Sequence, residues 1–127
     1  MNFKGTILLA DDEPHIRKFV GLILKGLGAA AILEAGDGEE AVAVFLREKP
    51  GLVLLDVNMP VVDGLGALKK IKEIDPDCVV VMLTSLANRE TVESALALGA
   101  SNYIRKDTPK EEIAKALTET IDACFEA

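Results

Sequence analysis

The sequence predicts an α/β fold in which a parallel β-sheet carries helices on both faces. Three observations point to it. Short β-type runs alternate five times with longer segments of helical period. Two of the runs, Leu52–Asp56 and Cys78–Leu83, are apolar without alternation, the pattern of central strands covered on both faces. The connections between runs are short, as in successive βα units joined by right-handed crossovers. At 127 residues the chain is read as a single domain spanning 1–127, with no second domain and no linker.

The first strand is Thr6–Ala10. It gives way at Glu13-Pro14 to a helix whose apolar residues Ile16, Phe19, Val20, Ile23, Leu24 and Leu27 form one stripe. Pro14 suits the first helical turn, where its missing N–H costs nothing, and Gly26 and Gly28 offer stop positions. A weak second strand near Ala31–Ala35 precedes a helix from about Gly38 to Lys49, with Ala41, Val44 and Phe45 inward. After the strand Leu52–Asp56, a helix over Gly64–Ile74 places Leu65, Leu68 and Ile71 at helical spacing. Cys78–Leu83 is followed by a helix over Asn88–Leu98 with Val92, Ala95 and Leu96 inward. The last unit is a strand at Ser101–Lys106 and a helix from Pro109 to about Phe125. Its inward face is Ile113, Ala116, Leu117, Thr120, Ile121 and Cys124, and Thr108-Pro109-Lys110-Glu111 reads as a capping box at its start.

Composition narrows the function. Half of the residues are hydrophobic and 28% are charged, so the chain is globular rather than disordered. A net charge of −7 has the wrong sign for neutralising phosphate backbones or anionic lipid, which argues against nucleic acid as a direct partner. Cys78 and Cys124 belong to no Cys-x-x-Cys pair or Cys/His cluster and read as small core hydrophobes. No apolar stretch approaches the roughly 18 residues that a membrane span needs, and the first residues form no secretory signal. The expected address is a reducing cytoplasm.

In open parallel sheets the functional site lies beyond the carboxyl ends of the strands, where strand order reverses. There the sequence offers Asp11 and Asp12, then Ala35 and Gly36, then Asp56, then Thr84 and Ser85, then Lys106. Three converging carboxylates repel one another unless a cation joins them. Magnesium fits, because it takes oxygen ligands from one or two carboxylates, keeps several waters and accepts phosphate oxygens. A divalent ion and the Lys106 ammonium together balance the three carboxylate charges. The chemistry that uses every group makes Asp56 a nucleophile toward phosphorus, with Asp11 and Asp12 on the metal. Lys106 then meets a phosphoryl oxygen as a point charge, and Thr84 donates to another.

Leu8-Leu9-Ala10-Asp11-Asp12-Glu13, Asp56-Val57-Asn58-Met59-Pro60-Val61-Val62-Asp63-Gly64, Leu83-Thr84-Ser85 and Tyr103-Ile104-Arg105-Lys106 together resemble the receiver domain of two-component response regulators. The resemblance covers essentially the whole chain. It implies a flavodoxin-like sheet of order 2-1-3-4-5 and phosphoryl transfer from a sensor histidine kinase, or a phosphotransfer protein, onto Asp56. It also implies magnesium held by Asp12, Asp56 and the carbonyl of Asn58, with Asp11 acting largely through water. Such domains catalyse their own phosphorylation and dephosphorylation, and Asn58 and Leu86 flank the route of attacking water. A switch is implied as well: Thr84 moves toward the phosphoryl group, Tyr103 follows, and the surface of the fourth helix, fifth strand and fifth helix is remodelled for a downstream effector.

Taken singly, these residues have simpler readings. Asp11-Asp12 could cap a helix, Met59–Gly64 could be an ordinary loop, Tyr103 could be packing, and Lys106 could pair with Asp107 at the surface. His15, the only histidine, reads as an exposed helix residue. Gly36-Asp37-Gly38-Glu39-Glu40-Ala41 imitates a dinucleotide fingerprint, but its three acids would repel a pyrophosphate and it follows the second strand. The chain departs from the family pattern after the lysine, where Asp107 replaces the usual proline. A trans Lys106–Asp107 bond is therefore expected, since a non-proline cis bond costs about 2.5–4 kcal/mol. Two other functions remain open: a pseudo-receiver that works unphosphorylated, and a magnesium-dependent phosphotransfer enzyme for a small molecule.

Overall fold

The computed structural model describes residues 5–85 and 89–125. Strands β1 (Thr6–Ala10), β2 (Ala31–Ala35), β3 (Leu52–Asp56), β4 (Val79–Thr84) and β5 (Asn102–Arg105) alternate with helices α1 (Pro14–Gly26), α2 (Gly38–Glu48), α3 (Gly64–Ile74), α4 (Arg89–Ala97) and α5 (Lys110–Phe125). All strand pairs are parallel and the order is β2-β1-β3-β4-β5, the flavodoxin-like arrangement. The order reverses beside β1, so β1 and β3 emerge side by side at the switch point.

Every residue of β3 and β4 is buried, which accounts for their unbroken apolar runs. Alternate residues of each strand feed two cores. One holds Leu8, Val53, Leu55, Val80 and Met82 against Phe45, Leu68 and Ile71 of α2 and α3. The other holds Ile7, Leu9, Leu54, Val81 and Leu83 against Val20, Leu24 and Leu117 of α1 and α5. Each fully buried side chain of this size contributes about 1.5–3 kcal/mol, so the sheet is a rigid platform for whatever stands at its edge.

The helices differ from the sequence expectation at their margins. Phe19 and Leu96, assigned inward, are exposed, because each lies on the flank of a stripe wider than the strip of sheet beneath it. Cys124 is exposed rather than a core residue, since the last turn of α5 runs past the sheet; Cys78 is buried as expected. The capping box at Thr108 does not form. The Thr108 N–H is spent on the Arg105 carbonyl, and the first helical bond runs from Ile113 N to the Pro109 carbonyl, so α5 opens one residue later. No cis peptide bond occurs among the described residues, so Lys106–Asp107 is trans. Asn88, the expected start of the fourth helix, and Leu86 lie outside the described residues.

Candidate functional site

The register of the sheet brings the strand-end residues together. Ala10 faces Leu55, Asp56 faces Leu83 and Thr84 faces Arg105, so Asp11, Asp56, Thr84 and Lys106 continue one edge. Backbone bonds extend the ladder past the strands: Asp11 N to the Ala35 carbonyl (3.0 Å), Val57 N to that of Leu83 (2.9 Å) and Lys106 N to that of Thr84 (2.8 Å). The site is thus held by main chain before any side chain acts.

Asp11, Asp56 and Thr84 are buried and Asp12 is exposed. One carboxylate oxygen each from Asp11, Asp12 and Asp56 lies within 4.8 Å of the others. Lys106, only 8% exposed at its side chain, places Nζ 2.7 Å from Asp11 Oδ2, 3.1 Å from Asp56 Oδ2 and 3.2 Å from Glu13 Oε1. Asp11 Oδ1 accepts from Glu13 N at 2.8 Å, and Asp56 Oδ1 accepts from Asn58 N at 3.2 Å. Asp11 Oδ2 faces the ammonium but makes no hydrogen bond of regular geometry and is buried. An oxygen so placed, beside two further carboxylates of which one opens to solvent, is a fitting donor for a hard divalent cation.

Electrostatics follow from the crowding. Burial, then the charge of Asp11, pushes the Asp56 carboxyl up to about 6, against the opposing pull of Lys106 and the Asn58 N–H. For Lys106, burial disfavours the charged form, but the close carboxylates of Asp11 and Asp56 outweigh it and push the ammonium up to about 12. The lysine therefore stays charged at any physiological pH, while the Asp56 carboxylate is ionised at neutrality at a cost in stability.

The loop after Asp56 is shaped around it. Gly64 N donates to the Val57 carbonyl at 2.9 Å, and a Cβ on Gly64 would collide with the Asp56 carbonyl oxygen and stand 2.7 Å from Val57 Cα. Only glycine lets α3 start this close to β3. Asp63 caps α3 by accepting from Gly66 N at 2.8 Å. Val61, with φ +68°, bends the loop as the centre of a γ-turn in which Val62 N donates to the Pro60 carbonyl at 2.8 Å, a conformation a β-branched residue rarely adopts.

Sequence reasoning missed two residues of this site. Glu13 follows the Asp pair and supplies a third carboxylate to the ammonium. Arg17, one turn into α1, donates from Nη1 to the Asp11 carbonyl at 2.6 Å and from Nε to Glu34 Oε1 at 3.0 Å, clamping the β1 end. The Glu13-x-x-x-Arg17 spacing puts both on one side of α1 and was the available signal. Asp107, which the simpler reading paired with Lys106, is instead gripped by Arg105 through two bonds of 3.0 and 2.8 Å. Tyr103 stands exposed on β5, and Asn58 is exposed two residues after Asp56, its N–H on the Asp56 carboxylate. At the imitation fingerprint, Asp37 caps α2 through Glu40 N (2.7 Å), and Glu40 accepts from Gly36 N.

The doubly wound sheet carries two buried aspartates and a buried threonine at its strand ends, with a lysine side chain only 8% exposed among the carboxylates, and this arrangement agrees with a signalling domain of the receiver class. The chain belongs to the response regulator receiver domain family of two-component systems, whose model matches residues 7–118. It is 32% identical over 116 residues to the chemotaxis protein CheY of Bacillus subtilis, covering 91% of this chain and 97% of that protein. It is 40% identical over 109 residues to the probable transcriptional regulator ycf27 of Porphyridium aerugineum, covering 85% of this chain and 45% of that protein. The chain thus spans about half the length of the ycf27 relatives it matches. Among solved structures, CheY of Borrelia burgdorferi, crystallised with CheX, BeF3 and Mg2+, superposes with a TM-score of 0.86 at 28% identity, covering 96% of this chain and 90% of that one. Among the described residues no helix is long and apolar enough to cross a membrane.

Proposed function

We propose that this receiver domain accepts a phosphoryl group on Asp56 from the phosphohistidine of a sensor kinase or phosphotransfer protein, with Mg2+ bound by Asp11, Asp12, Asp56 and the Asn58 carbonyl. The observation that carries the reading is the placement of Asp56 Oδ2 and Asp11 Oδ2 on one buried ammonium, with the exposed Asp12 beside them. When bound, the ion screens the carboxylates from the incoming anion and orients its oxygens. A carboxylate oxygen of Asp56 forms the new P–O bond as the P–N bond of the donor breaks, and the imidazole nitrogen leaves with the electron pair and regains a proton. Lys106 holds its charge throughout and is aimed at the phosphoryl oxygens. Thr84, whose carbonyl already anchors Lys106 N, donates its hydroxyl to another phosphoryl oxygen.

The phosphorylated site signals through protein contacts on the face made by α4, β5 and α5, where Leu96 and Tyr103 are exposed. Tyr103 follows Thr84 in this switch. The setting is the cytoplasm. That CheY of Borrelia burgdorferi was crystallised with BeF3 and Mg2+ supports the same chemistry on a related sheet. Incubation with Mg2+ and acetyl phosphate, read by intact mass, tests the proposal. A base-labile phosphoryl adduct present in the wild type and absent in Asp56→Ala is the expected result. No adduct from any donor would favour the phosphorylation-independent module.

A further inference from the structure

We infer that Glu13 occupies, in the unphosphorylated protein, the place on the Lys106 ammonium that an incoming phosphoryl oxygen takes, and so sets how readily the site is loaded. The inference rests on Asp56 being the phosphoacceptor and adds a positioning residue to it. The ammonium has three N–H groups, and three carboxylates surround it: Asp11, Asp56 and Glu13. Of the three, Glu13 is the one that takes a hydrogen bond of regular geometry from Nζ, at 3.2 Å, so a phosphoryl oxygen that seeks a hydrogen bond from the ammonium competes with Glu13 for it.

The three are unequal. The Asp11 side chain is fully buried and tied to Glu13 N, and Asp56 is the group that carries the phosphoryl. Glu13 is 43% exposed and sits at the mouth of the site. It occupies the N-cap position of α1 yet makes no capping bond with its side chain, whereas Asp37 and Asp63 cap α2 and α3 in the ordinary way. Its carboxylate serves the ammonium rather than the helix. The other oxygen, Oε2, already faces outward, 3.4 Å from Nε2 of the exposed His15. A dianionic phosphoryl group is the stronger partner for an ammonium, so Glu13 swings toward solvent while the Asp11 contact persists. No covalent bond of Glu13 changes.

The test is titration of the beryllofluoride mimic of the phosphoryl group at saturating Mg2+, followed by amide NMR, on the wild type, Glu13→Gln and Glu13→Asp. Loss of the carboxylate contact should lower the beryllofluoride midpoint about two- to five-fold, the range of a partly exposed ion pair. Glu13→Asp keeps the charge but reaches one methylene less, and should resemble Glu13→Gln. With acetyl phosphate as donor, the apparent KM should fall while the maximal rate holds. An unchanged or higher midpoint in Glu13→Gln overturns the inference. So does a wild-type midpoint in Glu13→Asp, which would assign the effect to the general field. A wild type that forms no adduct contradicts the phosphoacceptor reading itself, whereas one midpoint shared by all three contradicts only the role of Glu13.

Discussion

Lys106 Nζ lies 2.7 Å from Asp11 Oδ2, and this pair joins the end of β1 to the loop after β5 across the intervening strands. Because both side chains are almost wholly buried, the ammonium is the only cation within ion-pairing distance of Asp11 and Asp56 among the described residues. Removing it leaves two buried charges uncompensated. Lys106→Met should therefore lower stability by about 3 kcal/mol at pH 7 in chelator, measured by urea unfolding. The deficit should shrink toward pH 5 as Asp56 takes up a proton.

The raised Asp56 carboxyl gives a pH dependence of definite sign. Its ordinary value is 3.8 and its folded value about 6, so between those limits the folded protein keeps a proton that the unfolded chain has released. This contribution to stability therefore falls as pH rises through that window and is fully lost above it. Asp56→Asn should stabilise the metal-free protein at pH 7 by on the order of 2 kcal/mol and converge with the wild type near pH 4. A variant less stable than the wild type at pH 7 would show that Lys106 dominates instead.

A divalent ion that binds the folded cluster stabilises by mass action. At a hundred-fold excess over Kd, MgCl2 should add about 2.7 kcal/mol to the wild type, read as a rise in Tm. Asp12→Ala, an exposed change that leaves the core alone, should lose most of that rise while keeping the Tm measured in chelator.

Gly64 ties the helix to the nucleophile. Gly64→Ala drives a methyl group into the Asp56 carbonyl, so α3 must shift. The expected loss is about 1–3 kcal/mol by chemical unfolding, with slower phosphorylation from acetyl phosphate. Gly21→Ala is the control: nothing lies within 4 Å of the added carbon, and the helix should gain about 0.5–1 kcal/mol.

The fold was legible because its signals are one-dimensional. Apolar runs such as Leu52–Asp56 and the Pro14 helix start are set by neighbours in sequence, and β1, β2, β3 and α3 carry the expected bounds. The site was legible as far as strand ends dictate it: Asp11, Asp12 and Asp56 cluster, Lys106 reaches Asp11 and Asp56, and Thr84 is buried on the same edge. What escaped depends on pairing in space. Glu13 and Asp107 are both acids flanking a site residue, and nothing local says that Glu13 reaches Lys106 while Arg105 captures Asp107. Likewise the exposure of Phe19, Leu96 and Cys124 depends on how much of each helix the sheet underlies.

Chemical mapping of the phosphoryl group tests the central claim most directly. The chain, loaded with acetyl phosphate and Mg2+, is reduced with borohydride, which converts an acyl phosphate to an alcohol and marks its residue for peptide sequencing by mass spectrometry. Reduction at Asp56, dependent on Mg2+, is the predicted result. Reduction at Asp11, Asp12 or Glu13, or none where the donor has been consumed, would contradict the assignment.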